Sequence, residues 1–553
     1  MKMPDIKSLT LREKLAQLCL VRACDLLMHA DSSYTTMREP QEAKELMEKY
    51  QFGGIWLHGA QDVNTMNPEI WKANVHFDTQ SLRKWYRDIV ENVKIPVIAA
   101  NDTGGRSMCS DLSSYPSGMV IGANQDPDAG FKVASCIARE ASLAGINWIW
   151  TPMVDYGNRL GAGVTRVYSN LPDDLIRCGI SYMKGYQSQN VAATAKHFPG
   201  ADRQENRDSH IVTTMIRTDK ETWKKEQGRI FQAVIDAGVD SVMVGAKAFP
   251  AVDDSKLGGR YRPAALSHKI VTGLLREEMG FDGVVITDDV TMGGYTSFLM
   301  GGKLYAEFIK AGCDVLLGVG VDAVDLLEEE VKCGNLSEER VDDAVRRIFA
   351  MKEKYGLFEG YPEPALPLQE AITEAVTLTQ QMSKEILAGS ATLICDRHHQ
   401  VPFDPKKIRK VAIICYSHVE STIIALEAMK DEFERHGAEV LLRRRLESYE
   451  DAKAIADQYD LIVYAGFIAH HAPKGAPSFY GDEFWSLRYA FVYGKEKSVG
   501  VSLGWPHIHY NFMDDADVFV NLYSPVAEGQ RAFVRGLLGE QKFVGKSPVE
   551  LDQ

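Results

Sequence analysis

The residues of this chain that can do chemistry fall at the ends of short apolar runs. Asn101, Asp102 and Gly104-Gly-Arg106 follow Pro96-Val-Ile-Ala-Ala100. Asp155 follows Asn147-Trp-Ile-Trp-Thr151. Lys196, His197 and the turn signal Pro199-Gly200 follow Val191-Ala-Ala-Thr-Ala195, and Asp288 and Asp289 follow Gly283-Val-Val-Ile-Thr287. A charge does not stay buried without a partner or a polar ligand. Carboxylates, a lysine and a histidine at several run ends therefore describe a polar pocket suited to a hydroxyl-rich ligand; rim salt bridges are the other reading of the same residues. Asp288 ends a wholly apolar run, which would hold its carboxylate rigidly. Asp289 points the other way in a pleat and reads as a cap on the loop or helix that follows.

Seven such runs recur between helical stretches: the four above and Gly54-Ile-Trp-Leu-His58, Ser241-Val-Met-Val-Gly245 and Asp314-Val-Leu-Leu-Gly318. Strands of about five residues, apolar on both faces, belong to buried parallel sheets. Alternating with helices, they predict an α/β fold with a TIM-type (β/α)8 barrel over residues 1–357, whose active site lies where the strands end. An eighth strand is not evident; the segment near Lys247 is one place for it. Leu9 to Val21 reads as an opening amphipathic helix, and a helix runs from Ser337 to Tyr355. Three prolines in Gly360-Tyr-Pro-Glu-Pro-Ala-Leu-Pro367 mark the boundary, so 358–388 is read as linker and connecting helix. Residues 389–553 restart the alternation, with strands at Thr392–Cys395, Lys410–Cys415, Val440–Leu442, Leu461–Tyr464, Ser498–Ser502 and Val518–Val520. That predicts a three-layer αβα sandwich domain.

The 553 residues carry a net charge of −14, which disfavours nucleic acid and anionic membranes as partners. Nine cysteines, an odd number without a CxxC pair, read as free thiols of a reducing compartment. No secretory signal and no apolar run of about 20 residues is present, so a cytoplasmic location is expected. No phosphate-binding loop or dinucleotide fingerprint occurs, and the adjacent His470 and His471 make a poor metal motif. Neither cofactor nor metal is expected.

Two strings go further: Ala195-Lys-His-Phe-Pro-Gly200 followed by Asn206-Arg-Asp-Ser-His210, and Gly280-Phe-Asp-Gly-Val-Val-Ile-Thr-Asp-Asp289 followed by Val290-Thr-Met292. Here the chain resembles glycoside hydrolase family 3, most of all its β-N-acetylhexosaminidase branch. Leu11-Arg-Glu-Lys-Leu-Ala-Gln17, Pro152-Met-Val-Asp155 and Phe543-Val-Gly-Lys-Ser-Pro-Val549 extend the resemblance over most of the chain. It implies a retaining exo-glycosidase in which Asp288 attacks the anomeric carbon and forms a covalent glycosyl-enzyme. It implies an acid/base at His210, oriented by Asp208; a histidine suits proton transfer near neutral pH. Lys196, His197 and Arg166 match positions that bind sugar hydroxyls, and Asn101, Asp102, Arg106 and Met292 complete the expected substrate-binding set.

The sequence departs from that branch in two places. Asn101-Asp-Thr-Gly-Gly-Arg106 stands where an Asp followed by Glu-Gly-Gly-Arg is usual, which bears on which sugar is read. Ala201-Asp-Arg-Gln-Glu-Asn-Arg207 is a longer lead into the dyad, and loop length sets where His210 reaches. The expected substrate is a small soluble carbohydrate with a terminal β-linked N-acetylglucosamine-type sugar. β-Glucosidase, β-xylosidase and glycoside phosphorylase are the alternatives within the family, and an inactive sugar-binding regulator is the alternative outside catalysis. A homodimer is one candidate assembly, and the loop 469–480 is a candidate cover for the pocket, from its own chain or from a partner.

Overall fold

The computed structural model describes residues 2–28, 38–57, 77–102, 108–157, 165–417, 426–468, 479, 481–508 and 516–551. Arg106 and, Phe479 apart, the loop 469–480 lie outside them. Two compact units are formed: Met1–Ser113 with Phe131–Tyr156 and Gly179–Thr379, and Ser114–Gly130 with Gly157–Cys178 and Gln380–Gln553.

The first unit is built on eight parallel strands: β1 (Cys19–Arg22), β2 (Gly54–Trp56), β3 (Ile98–Asn101), β4 (Trp148–Ile149), β5 (Ala192–Phe198), β6 (Ser241–Val244), β7 (Val284–Thr287) and β8 (Leu316–Val319). Their order is β7-β6-β5-β4-β3-β2-β1-β8. A parallel bridge from Ile286 to Val315 joins the two ends and closes the barrel. Across that seam the Thr287 amide donates to the Val315 carbonyl at 3.0 Å, and the Leu317 amide donates to Thr287 Oγ1 at 3.0 Å. The interior is filled rather than hollow. Trp148 donates to Thr194 Oγ1 and Ser241 Oγ at 2.7 and 3.1 Å, and its ring lies edge-on to Trp150.

The eighth strand is β1, inside the segment expected to be helical. The helix covers only Leu11–Gln17, started by a Thr10–Glu13 capping box. Leu15 to Val21 carries a helical stripe but is also almost continuously apolar, so periodicity alone does not choose. The need of β2 and β8 for a neighbour between them does. Lys247–Ala248 is not a barrel strand; it pairs with Thr214–Met215 in a separate two-stranded ladder.

Carboxylates at the N-terminal ends of the barrel strands are stapled. Asp314 accepts from Arg276 at 2.6 Å, Arg340 at 2.8 Å and the Val285 amide at 2.9 Å, and Asp240 accepts from the Ala193 amide at 3.0 Å. At that face the acids serve stability, in contrast to the C-terminal mouth.

The second unit holds a six-stranded sheet: β9 (Thr392–Asp396), β10 (Lys410–Ser417), β11 (Glu439–Arg444), β12 (Leu461–Phe467), β13 (Ser498–Ser502) and β14 (Val518–Asn521). The order is β9-β14-β13-β12-β10-β11, antiparallel at β9–β14 and parallel elsewhere. Along β10 the side chains alternate between two cores. Val411, Ile413 and Cys415 pack with Phe433 and Phe533 of the helices Glu427–Arg435 and Ala527–Leu537. Ala412, Ile414 and Tyr416 pack with Ala452 and Ile455 of the helix Tyr449–Gln458. Helices cover both faces, which makes the three-layer sandwich that the sequence predicts.

Candidate active site

The C-terminal ends of β3, β4, β5 and β7 carry Asp102, Asp155, Lys196, His197 and Asp288, which meet in ion-pair contacts. A strand normally sends neighbouring side chains to opposite faces, yet Lys196 and His197 both make ion-pair contacts at the mouth. The β5–β6 register shifts between Lys196 and Phe198, and such a bulge re-aims a side chain. Lys196 Nζ lies 3.0 Å from Asp102 Oδ1. Asn101 is buried and donates its amide to the Leu57 carbonyl at 2.6 Å. It ties β3 to the end of β2, while Asp102 takes the place beside the lysine.

The Val154 amide donates to the Lys196 carbonyl at 2.8 Å, which sets Asp155 beside His197. One Asp155 oxygen is 2.7 Å from His197 Nδ1, and the other accepts from Lys247 Nζ at 3.0 Å. Burial penalises the Asp155 charge, but Lys247 and His197 outweigh it and hold the carboxyl well below its usual range. Burial pushes the His197 imidazole down, and Asp155 only partly offsets this. A neutral His197 whose Nδ1–H donates to Asp155 presents Nε2 as an acceptor, so it accepts a hydrogen bond from a hydroxyl rather than donating one.

His197 Nε2 stands 3.9 Å from Asp288 Oδ2. Asp288 extends the ladder, its amide donating to the Val244 carbonyl at 3.1 Å, and its Oδ1 accepts from the Asp289 amide at 2.9 Å. One carboxylate oxygen is thus fixed by a backbone donor, and the other is the one nearest His197. Asp289 caps the next turn through the Thr291 amide at 2.9 Å and also receives Arg22 at 2.6 and 2.7 Å. Burial works against the Arg22 charge, yet Asp289 and Asp25 keep it above its ordinary range. Burial in turn pushes the Asp25 carboxyl up, against the pull of Arg22.

Asp208 is buried and its Oδ1 meets both His210 Nδ1, at 2.6 Å, and the His210 amide, at 2.9 Å. The imidazole itself is about one-third exposed, at 36%. This loop is pinned next to the Asp288 strand: the Gly293 amide donates to the His210 carbonyl at 2.8 Å, and Thr213 Oγ1 donates to the Gly294 carbonyl at 2.8 Å. The approach requires glycine. A Cβ on Gly293 would lie 2.3 Å from the Ile211 carbonyl oxygen, and one on Gly294 2.8 Å from that of Ser209. The long lead 201–207 is fastened as well. Asp202 accepts from the Arg217 amide at 2.7 Å and Glu205 from the Met215 amide at 3.0 Å. Although burial favours the neutral form of Glu205, Arg207 and two backbone donors pull its pKa down to about 2.

Met292 is buried and begins the short helix Gly293–Thr296. Arg166 belongs to the second unit, where it is half-buried. Lys247 and Arg22 were not anticipated from the sequence. In the second unit Glu432, His436 and Glu540 converge, but Arg435 and Arg535 neutralise the two glutamates, so the cluster reads as an ion-pair network.

A closed β/α barrel with a carboxylate, a histidine–aspartate pair and a lysine and a second histidine at its C-terminal mouth fits a class, the barrel glycosidases. A family model described as the glycosyl hydrolase family 3 N-terminal domain matches residues 10–351. The chain belongs to that family and is a glycoside hydrolase. Over 473 residues it is 27% identical to a β-N-acetylglucosaminidase/β-glucosidase of Cellulomonas fimi, covering 82% of this chain and 83% of the relative. Two solved structures share the fold. The β-glucoside phosphorylase BglX has a TM-score of 0.83 at 23% identity, over 99% of this chain and 94% of that one. A family 3 β-N-acetylglucosaminidase from Paenibacillus sp. str. FPU-7 has a TM-score of 0.78 at 23% identity, over 98% and 99%. Among the described residues no helix is long and apolar enough to cross a membrane.

Proposed function

We propose that the protein is a retaining exo-β-N-acetylhexosaminidase acting on small soluble glycosides. The observation that carries this reading is the dyad: a histidine 2.6 Å from a buried aspartate, on a loop pinned to the segment that follows Asp288. In the first step Asp288 Oδ2 attacks the anomeric carbon as the glycosidic C–O bond breaks. His210 Nε2 delivers its proton to the departing oxygen, so the aglycone leaves as an alcohol and the sugar stays esterified to Asp288. In the second step His210 takes a proton from water, the hydroxide attacks the same carbon and the ester bond breaks. The released sugar keeps its β configuration. Asp208 orients the ring and favours the charged form that must be present before the first step. Lys196 donates to a sugar hydroxyl, and His197 accepts from one. Nine free cysteines, most of them buried, support a reducing, cytoplasmic setting.

A second reading, phosphorolysis, is favoured by the likeness to the β-glucoside phosphorylase and by an acid/base that does not repel phosphate. Aryl β-N-acetylglucosaminide, glucoside and xyloside turnover, each with and without inorganic phosphate, separates the readings. Selective, phosphate-independent release of N-acetylglucosamine is expected. Faster cleavage of the glucoside or xyloside would overturn the sugar assignment, and a phosphate-dependent sugar 1-phosphate would select the phosphorylase.

A further inference from the structure

Asp288 is steadied by its neighbour in the chain, and that neighbour is held by a cation from the first strand. Among the described residues the Asp289 amide is the hydrogen-bond donor to Asp288 Oδ1, at 2.9 Å. The aim of that N–H depends on where Asp289 is fixed. One Arg22 nitrogen meets both Asp289 oxygens, at 2.6 and 2.7 Å, and also donates to Thr291 Oγ1 at 2.9 Å. Thr291 in turn gives Asp289 Oδ1 two bonds, from its amide at 2.9 Å and its hydroxyl at 2.7 Å. Asp25, three residues after Arg22, lies 3.5 Å from the other guanidinium nitrogen.

This exceeds what a turn needs. An aspartate cap is complete with the amide two residues on, here that of Thr291. The Arg22 and Asp289 side chains are only 17% and 23% exposed. Taking such a pair out of water costs about as much as its attraction returns, so the pair is weak evidence of added stability. The fold also makes room for it. Gly318, at the end of β8, has φ +75°, and a Cβ there would lie 2.8 Å from the Arg22 nitrogen and 3.1 Å from Asp289 Oδ1. Three barrel strands thus converge on one carboxylate whose own amide touches the nucleophile.

We propose that Arg22 is a positioning residue for the second half of the reaction: by anchoring Asp289 it aims the amide that steadies the Asp288 carboxylate as that group departs from the sugar. The proposal rests on the retaining glycosidase reading. In the glycosyl-enzyme Oδ2 is bonded to the anomeric carbon, and Oδ1 is an ester carbonyl, a weaker acceptor than a carboxylate. Water gives its proton to His210 and attacks that carbon. The C–Oδ2 bond breaks and its electron pair returns to Asp288, where the charge is shared with Oδ1. The Asp289 N–H bond therefore strengthens toward this transition state and lowers its barrier. In the first step charge leaves the carboxylate and the same bond weakens, so it gives no help there. Loss of Arg22 should slow release of the sugar and spare its capture.

The test compares wild type with Arg22→Met, Arg22→Lys and the charge-balanced Arg22→Met/Asp289→Asn on a 2,4-dinitrophenyl β-glycoside of the sugar that the enzyme turns over. With so good a leaving group the second step limits kcat, while kcat/KM reports the first. Arg22→Met should lower kcat roughly 10-fold, as loss of one charge-assisted hydrogen bond gives, with kcat/KM within about threefold of wild type, so that KM falls in step with kcat. Intact-protein mass spectrometry of the quenched reaction should find a larger share of the variant carrying one sugar. Arg22→Lys, which keeps a cation on Asp289, should recover part of the rate. The double variant leaves no unpaired buried charge and still lacks the anchor, so it should accumulate the same intermediate even if Arg22→Met does not fold. Equal losses in kcat and kcat/KM, a slow folded variant without accumulated glycosyl-enzyme, or wild-type kcat in the double variant would overturn the proposal. A wild type that a 5-fluoroglycosyl fluoride does not label at Asp288 would sink the retaining reading and this one together; a labelled wild type with indifferent variants sinks this one alone.

Discussion

Lys247→Met isolates the electrostatic setting of Asp288. In the intact site Lys247 Nζ lies 3.0 Å from Asp155, whose other oxygen is 2.7 Å from His197 Nδ1. Lys247 balances the aspartate, and burial, with a lesser push from Lys247, lowers the histidine, so His197 stays neutral. The methionine keeps the stem and removes the charge. Among the described residues the imidazole is then the remaining ion-pair partner of the buried Asp155 carboxylate, and it takes up the compensating proton around neutral pH. That places a positive charge 3.9 Å from Asp288 Oδ2. At an effective dielectric constant of 20 the attraction is about 4 kcal/mol. It stabilises the carboxylate before attack, and it repels the positive charge that develops on the sugar. If about half is lost at the transition state, the barrier rises by about 2 kcal/mol, or roughly 30-fold in kcat. The assay is a pH–rate profile on an aryl glycoside with a good leaving group, which mutes the titration of His210. The deficit should be largest at low pH and close as pH rises and His197 loses its proton. In an Asp155→Asn background the same substitution should cost little, because its effect runs through Asp155. A profile that parallels wild type, a loss under about threefold, or additive losses in the double variant would refute the argument.

Gly293→Ala should push the loop away from the Ile211 carbonyl, which its Cβ would approach to 2.3 Å. About 1 Å of displacement at His210 predicts a kcat loss on the order of 100-fold with the fold retained, and wild-type kcat would rule this out. His210→Ala should cost roughly 100- to 10,000-fold on glycosides with poor leaving groups and far less on activated ones; equal losses across a leaving-group series would remove it as the acid. Lys352 is buried, donates to Gln17 Oε1 and the Pro96 carbonyl, each at 2.6 Å, and burial lowers its pKa to about 7. Between about pH 7 and its ordinary pKa the unfolded chain holds a proton that the folded chain has shed, so stability from this group rises with pH and is least below 7. Melting curves of wild type and Lys352→Met from pH 6 to 9 should show wild type gaining on the variant as pH rises, and a gap independent of pH would contradict the assignment.

Asp288, Lys196 and His197 were legible because each ends an uninterrupted apolar run, and a barrel has only one face where such ends do chemistry. Asp289 was legible as a cap because a pleat sends it away from Asp288. Lys247 was not, because its role depends on Asp155, 92 residues earlier, and no local pattern marks a lysine whose partner ends another strand. Arg22 was hidden for a different reason. Leu15 to Val21 satisfies both a helical stripe and a buried strand, and the helix reading removed the strand that carries Arg22 to the mouth. The two errors are one. Arg22 ends β1 and Asp289 follows β7, 267 residues apart, and they meet only because β8, paired with β1, also closes onto β7. A barrel read with seven strands has no such seam, so it has no partner to offer Asp289 and leaves that carboxylate as a cap alone. The closure that completes the fold is therefore what neutralises the second aspartate and leaves Asp288 as the one poised beside His197.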